Sequence, residues 1–219
     1  LTQLSSPSLA QDSAGDEARP LASLKPVLAG LGMVIDRYES DGYQITDMSV
    51  GLVFEETEGT SVPVVMVENA PMQLVALGDP ERLTDLNLAV FRPDGDEIAS
   101  DVLDDNMPVV RFLAPESGTY DARMIAASGT DRYRGGFFAF VPGHVSDSAV
   151  VSVMRTFSAM WATVDLLERD GCQVLHGEWR TLARGGRSVL QVTIPPRAES
   201  CRAVAVGSDD RTKQLDMVV

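Results

Sequence analysis

The sequence predicts a mostly β protein: tandem antiparallel β-sandwich or jelly-roll modules, each preceded by an amphipathic helix. Three observations carry that expectation. Short runs rich in Val, Leu, Met and Phe recur with turn residues between them. Two segments place apolar residues at three- and four-residue spacing. A stretch of the first segment's end returns 129 residues later (Asp165 against Asp36). The chain of 219 residues is long enough for two ordinary domains, and 44% hydrophobic content supports packed cores. Its 18 Lys+Arg against 32 Asp+Glu give a net charge of −14, which would repel phosphate backbones and excludes nucleic acid as a natural partner. No run of apolar residues reaches the roughly 18 needed to span a bilayer as a helix.

Residues 1–20 read as a signal-peptide remnant and linker. Ser8-Leu9-Ala10-Gln11 has small side chains one and three positions before a cut, the pattern that signal peptidase accepts, and Asp12 to Pro20 is polar and unpatterned. A flexible Ser/Pro-rich leader fits the first ten residues equally well. The first module is expected over residues 21–142. Its helix spans Leu21 to Tyr38, with Leu24, Val27, Leu28, Leu31, Val34, Ile35 and Tyr38 on one face and Asp41-Gly42 as the stop. Strands are expected at Gln44 to Phe54, Val62 to Val67, Met72 to Leu77, Leu86 to Phe91, Val109 to Leu113, Tyr120 to Ala126 and Gly136 to Val141. With no helices between them, these strands suit an antiparallel sandwich.

The second module is expected over residues 143–219. Asp36-Arg37-Tyr38-Glu39-Ser40-Asp41-Gly42-Tyr43-Gln44 and Asp165-Leu166-Leu167-Glu168-Arg169-Asp170-Gly171-Cys172-Gln173 share five of nine residues. The match continues from Gly59-Thr60-Ser61-Val62 to Gly186-Arg187-Ser188-Val189, from Ala76-Leu77-Gly78 to Ala205-Val206-Gly207, and from Asp85-Leu86-Asn87-Leu88 to Gln214-Leu215-Asp216-Met217. Small slips in spacing fall in turn-rich stretches, where loops tolerate length change. The helix of this copy is Val150 to Leu167, with Val153, Phe157, Met160, Trp161, Val164 and Leu167 on one face. Val219 is the counterpart of Val90, so the repeat predicts about fifty further residues and a truncated second sandwich.

Two stretches then carry a family likeness. Asp85-Leu86-Asn87-Leu88-Ala89-Val90-Phe91-Arg92-Pro93-Asp94-Gly95 is followed by an acidic loop, and Ala114-Pro115-Glu116-Ser117-Gly118-Thr119-Tyr120-Asp121-Ala122-Arg123 follows that. Together they resemble the bacterial pre-peptidase C-terminal domain, over about Leu74 to Val141. The resemblance implies a β-sandwich and a periplasmic or secreted bacterial address. The helices and the tandem arrangement depart from that family, and no peptidase domain is visible within these 219 residues. Physically, Pro93-Asp94-Gly95 suits a tight turn, Gly118 a bend, and Tyr120 a core position beside Phe112.

Chemistry is sparse. Asp94, Asp96, Asp101, Asp104 and Asp105, with Glu97, crowd one loop without a basic residue. Such a loop could hold Ca²⁺, which takes six to eight oxygen ligands, or could be a solvated acidic turn; Gly95 between the first two aspartates and the lack of a closing Glu separate it from an EF-hand. Cys172 and Cys201 form an even pair in a chain read as exported, which suggests a disulfide worth about 3 kcal/mol, with two separate buried thiols as the alternative. His144 falls in an expected Pro142-Gly143-His144 linker, far in sequence from His176. No HExxH, GxSxG, P-loop or GxGxxG pattern occurs. Ser61 and Ser188 follow Gly-rich turns, which account for them without a nucleophilic role. Arg180, Arg184, Arg187, Arg197 and Arg202 gather in the second copy, either to dock on acidic loops of the first or on an anionic surface, or as ordinary solvated strand edges.

The expected function is a non-catalytic accessory, binding or structural region of a larger bacterial envelope or secreted protein, with no cofactor. Its partners would be a protein or the cell envelope, with contact between the modules. The alternative is a calcium-dependent adhesion or stability module using the 94–105 loop.

Overall fold

The computed structural model describes residues 23–55, 57–129, 135–145, 150–174 and 176–180. Antiparallel strands dominate it. Helix α1 (Lys25–Ser40) comes first, then β1 (Tyr43–Ile45), β2 (Asp47–Phe54), β3 (Thr60–Met66), β4 (Pro71–Gly78), β5 (Leu83–Phe91), β6 (Glu97–Asp101), β7 (Val109–Leu113), β8 (Gly118–Gly129) and β9 (Gly135–Val145). Helix α2 (Met154–Arg169) and β10 (Gly177–Arg180) follow. One sheet runs β10-β2-β9-β4-β7, with β1 also on β9; the other runs β3-β8-β5-β6.

The first sheet is covered on both faces, and its sequence shows why. Along β4, Leu74 and Ala76 enter the core between the sheets, while Val75 and Leu77 enter a second core under the helices. Along β9, Phe138 and Phe140 point one way and Phe137, Ala139 and Val141 the other. A strand buried on both faces reads as a continuous apolar run, which is what Gly136-Phe137-Phe138-Ala139-Phe140-Val141 is. In β8 only alternate residues, Tyr120, Ala122, Met124 and Ala126, are buried, because the outer face of the second sheet meets solvent. The described residues therefore form three layers: helices, a doubly covered sheet and a half-covered sheet.

Strand β9 carries Pro142 in mid-sheet, where a missing N–H is costly. The partner strand breaks at that point. Ile45 pairs with Gly143 and Ser49 with Phe140, so three residues of the β1–β2 strand face two of β9, and the Thr46 N–H reaches the Pro142 carbonyl at 3.5 Å. Pro142-Gly143-His144 is thus strand rather than linker, paired with β4 on its other side. A Cβ at Gly143 would stand 2.7 Å from the Tyr38 ring, so glycine there lets α1 lie close on the sheet. The Tyr38 hydroxyl donates to the Gln73 carbonyl at 3.0 Å, and burial pushes its pKa up. The Arg111 guanidinium donates to Gln73 Oε1 at 2.6 Å, which satisfies the oxygen of that buried side chain.

Each of the seven expected strand regions is strand. One strand of the first module went unread: β6, inside the stretch taken as an acidic loop. Both helices overlap their expected spans, but each begins four residues later and ends two residues later than expected. After α2, β10 joins the edge of the same doubly covered sheet.

Candidate functional site

Helices α1 and α2 meet through a set of side-chain contacts at both ends. Both helices start on an apolar residue, Leu24 and Val153, neither of which can cap an N-terminus with its own side chain. Each helix supplies the other's cap. Glu168, in the last turn of α2, accepts from the Leu24 N–H at 2.8 Å and from the Ser23 hydroxyl at 2.8 Å. Glu39, in the last turn of α1, accepts from the Val153 N–H at 2.6 Å. The helices are therefore antiparallel, and each carboxylate sits at the positive end of its neighbour's dipole.

Charge and shape add to the clasp. Lys25 Nζ lies 2.6 Å from Asp165, and the hydrogen bond from Lys25 leads the effects that hold the Asp165 carboxyl below its usual range. Phe157 packs over Gly32, where an added Cβ would stand 3.0 Å from the ring. Trp161 meets Phe157 edge to face, with centroids 6.2 Å apart. Both helices end on an aspartate and a left-handed glycine, Gly42 (φ 81°) and Gly171 (φ 79°).

A second contact runs beside the first. β10 pairs with β2 in the register Val50–Gly177, Ser49–Glu178, Met48–Trp179 and Asp47–Arg180. His176 Nε2 lies 3.1 Å from Glu178. Sequence reading found both helices but missed Glu39 and Glu168 as caps; the signal was present, since both belong to the repeated nine-residue stretch.

The acidic residues fall into two groups. Asp94 and Asp96 sit in the β5–β6 turn beside Arg92, which reaches them at 3.9 and 3.2 Å. Gly95 makes that turn with φ 95°, and its N–H donates to the Arg92 carbonyl. Asp101 ends β6 and accepts from the Val109 and Leu103 N–H groups at 2.8 and 3.2 Å. Asp105 accepts from Met107 N–H at 2.8 Å. These bonds are those of loop-shaping aspartates. Asp85 was not singled out from the sequence, yet its carboxyl is pushed up by burial first, then by Asp104 and Asp105. Asp85 Oδ1 and Asn87 Oδ1 are buried without a hydrogen-bond donor. Among the described residues, no three His, Cys, Asp or Glu side chains gather closely enough to hold a metal ion.

The remaining expected residues scatter. Cys172 is exposed in the turn after α2 rather than on a strand, and its N–H donates to the Leu167 carbonyl. Cys201 lies outside the described residues, as do Ser188, Arg184, Arg187, Arg197 and Arg202. Ser61 donates to Asp121 at 3.1 Å on β3. Tyr120 is buried as expected, with Phe112 packed against the same core, and its hydroxyl donates to the Glu116 carbonyl at 2.9 Å.

No protein-family model matches the chain, and no curated protein does. Among solved structures it is similar to PliG of Aeromonas hydrophila, a periplasmic lysozyme inhibitor of g-type lysozyme. The likeness has 14% identity and a TM-score of 0.33, over 48% of this chain and 89% of that one. No helix among the described residues is long and apolar enough to cross a membrane.

Proposed function

We propose that this chain is a non-catalytic region of an exported bacterial protein, built of tandem modules that dock on one another through their helices and sheet edges. The observation that supports it best is the reciprocal capping. Leu24 and Val153 are 129 residues apart, as are Glu39 and Glu168, the starts of α1 and α2, and the paired residues Ser49 and Glu178. One two-fold rotation through the Ser49–Glu178 pair would exchange the halves and carry each of these contacts onto its twin. That is the geometry of an isologous dimer interface, here between two segments of one chain. The pre-peptidase-like strands and the cleavage-like Ser8-Leu9-Ala10 support the exported address.

Differential scanning calorimetry of the full chain tests the docking. Docked modules melt in one transition, and the double variant Glu39→Ala/Glu168→Ala splits or broadens it; a wild-type chain that melts in two independent steps contradicts the reading. Hydrolase activity that disappears on replacing an acidic pair contradicts the non-catalytic part. A rise in melting temperature with about 1 mM Ca²⁺, reversed by chelator, would favour the calcium module instead.

A further inference from the structure

Three strands of the sandwich, β3, β6 and β7, each lie at the end of a sheet. Two of them are guarded. β3 carries Pro63 in mid-strand, and β6 shifts register against β5 at Val90/Phe91, both devices that keep an edge from pairing with other chains. β7, which reads Val109-Val110-Arg111-Phe112-Leu113, has neither, and its one charge, Arg111, is turned onto Gln73 Oε1.

The ladder shows which groups of β7 are open. The Ala76 N–H donates to the Pro108 carbonyl and the Ala114 N–H to the Ala70 carbonyl, so in the β4–β7 register the bonded pairs are Leu74 with Val110 and Met72 with Phe112. The backbone groups of Val109, Arg111 and Leu113 therefore point away from β4. Asp101 answers the Val109 N–H at 2.8 Å. Those of Arg111 and Leu113 have no partner among the described residues.

A cleft of about 290 Å³ opens beside that edge, lined by Arg92, Ile98, Phe112, Leu113 and Pro115. Its rim is acidic. Asp94 and Asp96 lie against Arg92 and offset its charge, Glu97 adjoins Ile98, and Glu116 adjoins Pro115. Beyond the far end of β6, Val102 and Leu103 are 70% and 66% exposed, followed by the exposed Asp104 and Asp105.

We propose that this edge takes an extended segment of another protein, alternately basic and apolar, as an added strand on β7. One of its apolar side chains fills the cleft, and its Lys or Arg side chains meet the rim. Open backbone groups give an added strand its affinity, and pockets for alternate side chains give its specificity. Charge decides the class of partner. A second copy of this chain carries a net −14 and would be repelled, as would phosphates or an anionic lipid surface. The site goes beyond the docking of the two halves, which uses β10 at the opposite edge of the same sheet. Either can therefore fail alone.

Peptide binding to the full chain tests the proposal. The probes are extended peptides of about eight residues that alternate Lys with Val, Leu or Phe, together with their Glu counterparts. At least one Lys peptide should bind at least about tenfold more tightly than its Glu counterpart. N-methylating one alternate set of its amides should weaken it about tenfold, while the other set tolerates the change, because only one edge of the peptide bonds to β7. On binding, NMR-detected amide exchange at Arg111 and Leu113 should slow at least about tenfold, with Val110 and Phe112, already bonded to β4, little altered. Leu113→Pro, which removes an outward N–H and no ladder bond, should weaken binding about tenfold. Glu97→Lys/Asp104→Lys should do the same through the rim and leave the strand untouched. If no Lys peptide outbinds its Glu counterpart, or if binding leaves the Arg111 and Leu113 amides exchanging as before, the proposal is overturned.

Discussion

Helices α1 and α2 are both 16 residues long, start on apolar caps, and stop on an aspartate followed by glycine, yet α1 buries six side chains and α2 two. Their intrinsic patterns are alike, so the difference comes from what each lies on. α1 is pressed between α2 and the doubly covered sheet, with Tyr38 anchored to the Gln73 carbonyl. Among the described residues, α2 packs chiefly on α1, through Phe157 and Val164. A helix takes most of its stability from the face it buries rather than from propensity, so α1 should be the firmer of the two unless another element covers α2.

The largest effect probes that difference. Leu31→Ala removes a fully buried side chain and should cost about 2–5 kcal/mol in chemical denaturation. Met160→Ala, at the equivalent but only partly buried place on α2, should cost clearly less; equal losses would show that the two helices are covered alike. Next come the caps. Glu39→Ala and Glu168→Ala should each cost about 1 kcal/mol, with Glu168→Ala the costlier because it also releases the Ser23 hydroxyl. The two losses should add, since the carboxylates cap opposite ends of the helix pair.

The smallest effect lies far from the helices and depends on pH. Burial and the neighbouring Asp104 and Asp105 raise the Asp85 pKa, so the folded state favours its protonated form. The favourable contribution is complete below the unfolded carboxylate pKa of about 3.9 and is lost as pH rises through the higher folded value. Asp85→Asn should therefore raise the melting temperature at neutral pH, and the gain should vanish as pH falls towards about 4. An unchanged melting temperature at both pH values would show that Asp85 is not under strain.

Periodicity made much of this legible. The helical stripes and the strand runs are local patterns, and both survive in the three-layer fold. The unbroken run from Gly136 to Val141 signalled burial on both faces, although a sandwich alone would have covered one. Strand β6 was missed because its apolar part is only the pair Ile98-Ala99 between polar residues, and an edge strand needs little burial to pair. The aspartates around it were gathered by sequence proximity into one loop, whereas a five-residue strand separates the Asp94 turn from the Asp104–Asp105 loop. Glu39 and Glu168 escaped notice for the opposite reason: their partners are 114 and 144 residues away. Repetition marked those two glutamates as a pair, but only the folded chain shows each capping the other's helix.

That mutual capping is tested most directly by amide exchange at Leu24 and Val153, resolved by NMR. Glu168→Ala should speed exchange at Leu24 and leave Val153 protected, and Glu39→Ala should do the reverse. If each substitution affects only the amides of its own helix, or if neither amide responds, the two halves are not clasped as described.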